Sequence, residues 1–198
     1  MKKNFDVLPT PQQLEEELSR SKYRNRYRNV LKSTIYTLIT VSAVAVLVAT
    51  LLMPVLQIYG SSMSPTLSDR DIVLSLKQSD FESGEVVAFY YNNKILVKRV
   101  IAEAGEWVDI TPDGDVYVGK TRDTMELIDE PYLEVKAFGE CNIELPYQVP
   151  ESRVFVMGDH RGVSVDSRNT TVGCVAEEQL VGKLVFRVWP LSAIGKID

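Results

Sequence analysis

Ser62 lies in the segment YGSSMSPTLSD, residues 59–69, directly after a long apolar run. Gly60 permits a close approach of the main chain, and Pro65 stiffens the segment that follows the serine. A serine hydroxyl becomes a useful nucleophile when a neighbouring base accepts its proton. Ser62 is therefore a candidate nucleophile, although an ordinary polar loop would have a similar composition.

Lys98, in NNKILVKRVIA, is one candidate base for Ser62. In a strand it shares a face with Leu96, Val100 and Ala102, so its ammonium would lose hydration and its pKa would fall. At an ordinary pKa of about 10.4 only about 0.04% of the amine is neutral at pH 7, whereas a pKa of about 8 would make roughly 10% neutral. The alternative is a strand lysine whose amine extends into water.

His160 is the other candidate base and the single histidine of the chain. Asp159 immediately precedes it, and adjacent residues do not easily provide the geometry of a Ser-His-Asp triad. The surrounding loop, MGDHRGVSVDSR (157–168), also carries Arg161, Ser164, Asp166 and Arg168 after Gly158. Asp166 and Arg168 are predicted to pair, and Ser164 could hydrogen-bond an amine. A turn held by a salt bridge would show the same residues.

The elements that must position these residues begin with an apolar helix. No charged residue occurs between Lys32 and Asp69, and the 22 residues from Ile35 to Leu56 are predominantly apolar. As a helix they would span roughly 33 Å, against about 30 Å of hydrocarbon in a bilayer. A cleaved signal peptide and a buried core helix are the alternatives, but the run is long for both. We therefore predict a transmembrane anchor over 35–56.

The segment before the anchor is basic. Residues 1–32 hold eight Lys or Arg against four Asp or Glu. The positive-inside rule then places residues 1–34 in the cytoplasm and residues 57–198 outside the membrane. Within the first segment, Thr10 and Pro11 predict the start of a helix.

The remainder of the chain predicts an all-β domain of antiparallel sheets, so the fold class is mainly β. Short β-branched and aromatic runs recur between turn signals, as in sandwiches and barrels. YNNK (91–94) and PDGD (112–115) are predicted hairpin turns. Residues 105–152 read as an inserted, less regular part.

Composition excludes several function classes. Residues 33–198 hold fourteen Lys or Arg against twenty-three Asp or Glu, which argues against nucleic acid as a partner. One histidine and two separate cysteines, Cys141 and Cys174, argue against a metal site. Whether the cysteines pair stays open.

The order of these motifs resembles the type I signal peptidase family of bacterial membranes. SSMSPTL, VKRVIAEAG and GDHRGVSVDSR follow the anchor in the family's order, and DEPYL (129–133) and LVFRVWPL (184–191) extend the resemblance over almost the whole chain. The resemblance implies a membrane-anchored serine endopeptidase that removes signal peptides from secretory preproteins without a cofactor or metal. It makes Ser62 the nucleophile and Lys98 the base, with Ser164 holding the Lys98 amine. It assigns a supporting role to Gly158, Asp159, Arg161, Asp166 and Arg168.

The chain departs from the family pattern at several positions. His160 replaces the usual Asn, and Ala102, Ala104 and Glu106 stand where Gly, Pro and Asp often occur. Some longer members carry a hydroxyl residue two positions before the nucleophile, which helps to bind the oxyanion. Here that position is Gly60, so the oxyanion site at Ser62 and Gly60 is predicted to rely first on the Ser62 N–H. A dedicated peptidase for a pilin-type partner and a non-catalytic assembly factor of the same fold are the alternatives.

Overall fold

The computed structural model describes residues 10–77 and 81–197. The chain forms two compact units, Met1–Ala49 and Thr50–Asp198. Residues 1–9 of the predicted cytoplasmic segment lie outside the described residues.

Helix α1 (Pro11–Leu52) joins the predicted cytoplasmic and transmembrane segments in one continuous element. Its start is confirmed, because the Thr10 N–H donates to Gln13 Oε1 (3.1 Å) and the Gln13 N–H donates to Thr10 Oγ1 (3.5 Å). Among the described residues, α1 is the one helix that is long and apolar enough to cross a membrane.

The C-terminal end of α1 differs from the predicted anchor, which extended to Leu56. The helix ends at Leu52, and Val55 and Leu56 belong to the first strand. Pro54 explains the earlier end, because a proline disfavours helical geometry in the residue before it and offers no N–H to continue the helix.

The second unit is built from antiparallel strands, which confirms the predicted fold class. The strands are β1 (Val55–Gln57), β2 (Ile72–Leu76), β3 (Val86–Tyr91), β4 (Lys94–Ala102), β5 (Trp107–Ile110), β6 (Val116–Gly119), β7 (Glu126–Leu127), β8 (Tyr147–Gln148), β9 (Arg153–Met157), β10 (Val175–Ala176), β11 (Leu180–Trp189) and β12 (Gly195–Lys196). One sheet has the order β1-β2-β11-β3-β4-β9-β10, with β12 on β11, and the other has the order β7-β6-β5-β8.

Both predicted hairpin turns form. Asn92 and Asn93 have φ values of 44° and 62° between β3 and β4, as a two-residue turn with left-handed backbone requires. Gly114, with a φ of 88°, lies in the turn between β5 and β6. The smaller sheet, β5 to β8, lies within residues 105–152.

The two sheets share a core that supports the site. Ile110 and Val116 of the smaller sheet pack in one buried cluster with Phe155 and Met157 of β9. A second cluster places Met63 and Leu67, from the segment after Ser62, among buried residues of the larger sheet. The Ser62 segment is therefore anchored by its own apolar side chains.

Candidate active site

The structure brings Ser62 and Lys98 into direct contact. Lys98 lies on β4, and Ser62 lies in the turn that follows β1. The distance between Lys98 Nζ and Ser62 Oγ is 2.7 Å. This is a normal hydrogen-bond length, so a neutral Lys98 could accept the Ser62 proton without a change of geometry.

Lys98 is buried, with 4% of its surface exposed. Burial lowers the pKa of its ammonium from the ordinary value of 10.5. The carboxylates of Asp166 and Asp159 act in the opposite direction, and Arg168 adds to the lowering. Desolvation is the largest of these effects, as the apolar face of the strand predicted. The environment therefore favours the neutral amine that a general base needs.

Gly158 allows the 158–168 loop to approach Ser62 closely. A β-carbon at Gly158 would stand 2.5 Å from the Ser62 carbonyl oxygen and 2.3 Å from Ser164 Oγ, which is closer than any real side chain permits. The Gly158 N–H donates to Asp166 Oδ2 at 2.9 Å. The glycine thus brings the nucleophile segment and the loop into contact.

Three buried ion pairs support the loop. The pairs are Arg99–Asp159, Arg161–Glu130 and Arg168–Asp166. The predicted pairing of Arg168 with Asp166 is therefore confirmed. Arg168 also donates to the carbonyl oxygens of Arg161 and Phe138, so this pair is one part of a larger network. Charges buried to this degree are tolerated when they are paired and hydrogen-bonded.

Arg99 and Thr66 were not among the predicted site residues, yet they fix Asp159. Arg99 donates to both Asp159 oxygens at 3.0 and 2.8 Å, and Thr66 Oγ1 donates to Asp159 Oδ2 at 2.5 Å. Arg99 is a charged residue within an apolar strand run, which is a signal that a buried partner exists. Thr66 lies in the same turn as Ser62 and gave no such signal.

Glu130 and Tyr132, from DEPYL, are further supporting residues that were not predicted. The Glu130 carboxylate pairs with Arg161, and the Tyr132 hydroxyl donates to Glu130 Oε1 at 2.9 Å. The Arg99 guanidinium lies 3.8 Å from the centre of the Tyr132 ring. Burial raises the pKa of the Tyr132 hydroxyl, so it stays a proton donor to Glu130. Arg161 and Arg99 lie far from Glu130 and Tyr132 in sequence, so local patterns could not indicate these contacts.

Among the described residues, no serine, histidine and aspartate form a catalytic triad. Asp159 is held by Arg99 and Thr66, and its neighbour His160 is exposed. His160 Nδ1 lies 3.3 Å from the Ser61 carbonyl oxygen, and the His160 N–H donates to the Ser62 carbonyl oxygen at 3.0 Å. His160 therefore contacts the main chain at Ser61 and Ser62, whereas the Ser62 hydroxyl contacts Lys98.

The two predicted oxyanion positions differ in their contacts. The Gly60 N–H donates to Asp69 Oδ1 at 2.8 Å, so this N–H group is already bonded to a carboxylate. In the part of the chain that the structure describes, the Ser62 N–H donates to no protein acceptor. This difference favours Ser62 as the oxyanion donor.

Ser164 lies close to Gly158, which in turn contacts the nucleophile segment. Its hydroxyl is buried and has no hydrogen-bond partner among the described residues. The predicted hydrogen bond to the Lys98 amine is not formed here, where Lys98 donates to Ser62 instead.

An apolar cleft of about 600 Å³ opens beside Ser62 and Lys98. One wall comes from β1 and the residues after it, and the other comes from the first half of β4. The lining residues are Leu56, Gln57, Ile58, Tyr59, Gly60, Ser62, Met63, Lys94, Ile95, Leu96, Val97 and Lys98. β1 is an edge strand, and β4 pairs with β9 only from Arg99 onward. Both walls therefore offer main-chain groups to an extended peptide.

Cys141 and Cys174 are both free thiols, which resolves the open question of their pairing in this structure. Burial raises the pKa of the Cys174 thiol to about 11.

Comparison with known proteins identifies the family. The family model described as signal peptidase, peptidase S26, matches residues 31–189. The chain belongs to the signal peptidase family, peptidase S26. It is therefore a hydrolase that removes signal peptides, as the motif order indicated.

Individual relatives resemble the chain over half of its length or more. Signal peptidase IB from Staphylococcus aureus is 36% identical over 156 residues, which cover 68% of this chain and 77% of that protein. The chloroplastic thylakoidal processing peptidase 1 from Arabidopsis thaliana is 32% identical over 177 residues, covering 80% of this chain and 48% of that protein. A crystal structure of a signal peptidase I from Enterococcus faecalis V583 shares 25% identity, covers 53% of this chain and 97% of that chain, and has a TM-score of 0.43.

Proposed function

We propose that this signal peptidase acts through a catalytic dyad in which Ser62 is the nucleophile and Lys98 is the general base. The observation that carries the proposal is the 2.7 Å contact between Lys98 Nζ and Ser62 Oγ, at a lysine whose pKa is lowered by burial. A neutral Lys98 amine at this distance can accept the proton of the Ser62 hydroxyl as the serine attacks.

The reaction follows from these positions. Neutral Lys98 takes the Ser62 proton while Ser62 Oγ bonds to the scissile carbonyl carbon, and the oxyanion is stabilised by the Ser62 N–H. The carbon–nitrogen bond then breaks, and the Lys98 ammonium gives its proton to the leaving amine. Water next attacks the acyl-enzyme ester, Lys98 accepts a proton from that water, and the proton returns to Ser62 as the ester bond breaks.

Ser164 acts on the Lys98 amine in this scheme. Ser62 Oγ carries the acyl group after the first half-reaction and becomes a poorer partner for Lys98. The Ser164 hydroxyl, buried beside Gly158 and unpartnered among the described residues, then holds the amine. Asp159, Arg161, Asp166 and Arg168 maintain the loop that carries Ser164.

The substrate is an extended peptide around the cleavage site of a secretory preprotein. It pairs with the edge of β1 near Tyr59 and with β4 up to Leu96. Ile58 lines the cleft between them, but its own N–H and carbonyl oxygen already bond Asp71 and Arg70. As the family resemblance implies, small subsites select small side chains at the cut.

The membrane keeps the enzyme with its substrates. Helix α1 crosses the bilayer with its basic N-terminal side in the cytoplasm, and the β unit lies on the opposite side. Trp189 is 51% exposed and Leu191, two residues later, is 69% exposed, so we assign lipid contact to this apolar surface. Preproteins held in the same membrane are thus kept near the enzyme.

The test is cleavage of a secretory preprotein by the detergent-solubilised full chain and by Ser62→Ala, with sequencing of the product N-terminus. We expect a cut after a small residue that is lost in the variant. A panel of unrelated preproteins separates general processing from a peptidase dedicated to one pilin-type partner. If the wild type cuts nothing in the panel and nothing that co-purifies with it, the non-catalytic alternative replaces the proposal.

A further inference from the structure

We infer that His160 is a positioning residue that holds the Ser61–Ser62 peptide in the orientation needed for oxyanion binding. The inference rests on the proposed function. Its structural basis is the 3.3 Å contact between His160 Nδ1 and the Ser61 carbonyl oxygen. A carbonyl oxygen carries no proton, so the contact is a hydrogen bond in which the His160 Nδ1–H donates.

The contact is important because it holds the peptide unit between Ser61 and Ser62. The Ser61 carbonyl and the Ser62 N–H belong to one planar peptide unit, so fixing the oxygen also fixes the direction of the N–H. The same N–H donates to no protein acceptor in the described part of the chain and is the proposed oxyanion donor. A hydrogen bond to the carbonyl also polarises the peptide and makes its N–H a better donor.

His160 hydrogen-bonds two successive carbonyl groups of the nucleophile segment, those of Ser61 and Ser62. Its main-chain N–H donates to the Ser62 carbonyl oxygen at 3.0 Å, in addition to the ring contact with Ser61. The Ser64 N–H also donates to the Ser61 carbonyl, at 3.1 Å, and closes the turn. Substitution of the side chain leaves both main-chain bonds available, so it isolates the contribution of the ring.

The geometry also accounts for the departure of this position from the Asn of the family motif. The Nδ1 of histidine and the Nδ2 of asparagine are each bonded to Cγ, so both place a donor at the same reach from the main chain. Asparagine at position 160 would therefore preserve the bond to Ser61, whereas alanine would remove it and glutamine would displace the donor by one carbon.

The experiment compares the steady-state kinetics of His160→Asn, His160→Gln and His160→Ala with those of the wild type on one preprotein. Ser62→Ala serves as the inactive reference, and Val163→Ala, on an exposed side chain of the same loop, serves as the matched control. We expect His160→Ala to lower kcat about tenfold to hundredfold with KM within about twofold, because loss of a whole oxyanion donor costs about a hundredfold or more. His160→Asn should keep kcat within about threefold of the wild-type value. His160→Gln should lower kcat as much as His160→Ala does.

Three results would overturn the inference. These are a kcat for His160→Ala within twofold of the wild type, an equal loss for asparagine and alanine, or a loss confined to KM. Thermal unfolding of each variant should match that of the wild type, because the ring is exposed; if His160→Ala instead unfolds early and His160→Asn does not restore kcat, the ring has a structural role. Activity of the wild type that Ser62→Ala lacks would uphold the proposed function in every case.

Discussion

Gly158 and the Ser62 carbonyl oxygen are so close that a β-carbon on Gly158 would stand 2.5 Å from the oxygen. The same β-carbon would also meet Ser164 Oγ at 2.3 Å. The Ser62 carbonyl oxygen accepts the His160 N–H at 3.0 Å, and Ser164 is buried, so a β-carbon on Gly158 would fit only if the main chain moved. The separation between nucleophile and loop is therefore set by the absence of a side chain at residue 158.

The first prediction concerns this glycine. Gly158→Ala should lower kcat at least tenfold and reduce stability by about 1–3 kcal/mol, since overpacking forces shifts of the main chain. Steady-state kinetics and urea unfolding measure the two effects. Gly162→Ala is the matched control, because a β-carbon there meets nothing within 4 Å; equal effects of both substitutions would contradict the explanation.

The second prediction concerns the base. Lys98→Met should abolish cleavage while the domain stays folded, because methionine fills the apolar site without a buried charge. Lys98→Arg should also be inactive, since a guanidinium cannot be deprotonated at working pH. Preprotein cleavage and circular dichroism check both variants. Substantial activity in either variant would refute the dyad.

The third prediction concerns pH. Burial lowers the pKa of Lys98 below its ordinary 10.5, and the neutral amine is the active form, so kcat/KM should rise with pH through this lowered pKa and then level off. A profile of kcat/KM between about pH 5.5 and 10 measures the rise, because a lowered pKa lies below the ordinary lysine value. The same rise should persist in His160→Asn. Its disappearance there would make histidine the titrating base.

The fourth prediction concerns the buried pair of Arg161 and Glu130. Glu130→Ala should destabilise the protein by about 3–5 kcal/mol, because the Arg161 guanidinium is left buried without its counter-ion. Urea unfolding provides the measurement. Lys136→Ala breaks the exposed pair with Asp115 and should shift the midpoint far less. A shift of similar size in both variants would show that burial does not control the effect.

Local patterns in the sequence determined the elements of this protein. Thr10 and Pro11 began the helix because a capping side chain and a fixed φ act within one turn. Asn92 and Asn93 made the hairpin turn because they tolerate a left-handed backbone. The end of α1 was also a local matter, since Pro54 was visible in the sequence, but hydropathy alone extended the predicted anchor beyond it.

The tertiary structure decided which chemistry these elements can perform. The apolar face of β4 indicated that the pKa of Lys98 would fall, but only folding brought its amine to Ser62, 36 residues earlier in the chain. Arg99, Glu130 and Tyr132 entered the site through partners distant in sequence, which no period or turn signal encodes. The role of His160 was likewise undetermined, because the adjacent Asp159 does not easily provide the geometry of a triad. Long-range packing directed its ring to the Ser61 carbonyl and its neighbour Asp159 to Arg99, since side-chain contacts across a sheet depend on register and not on local composition.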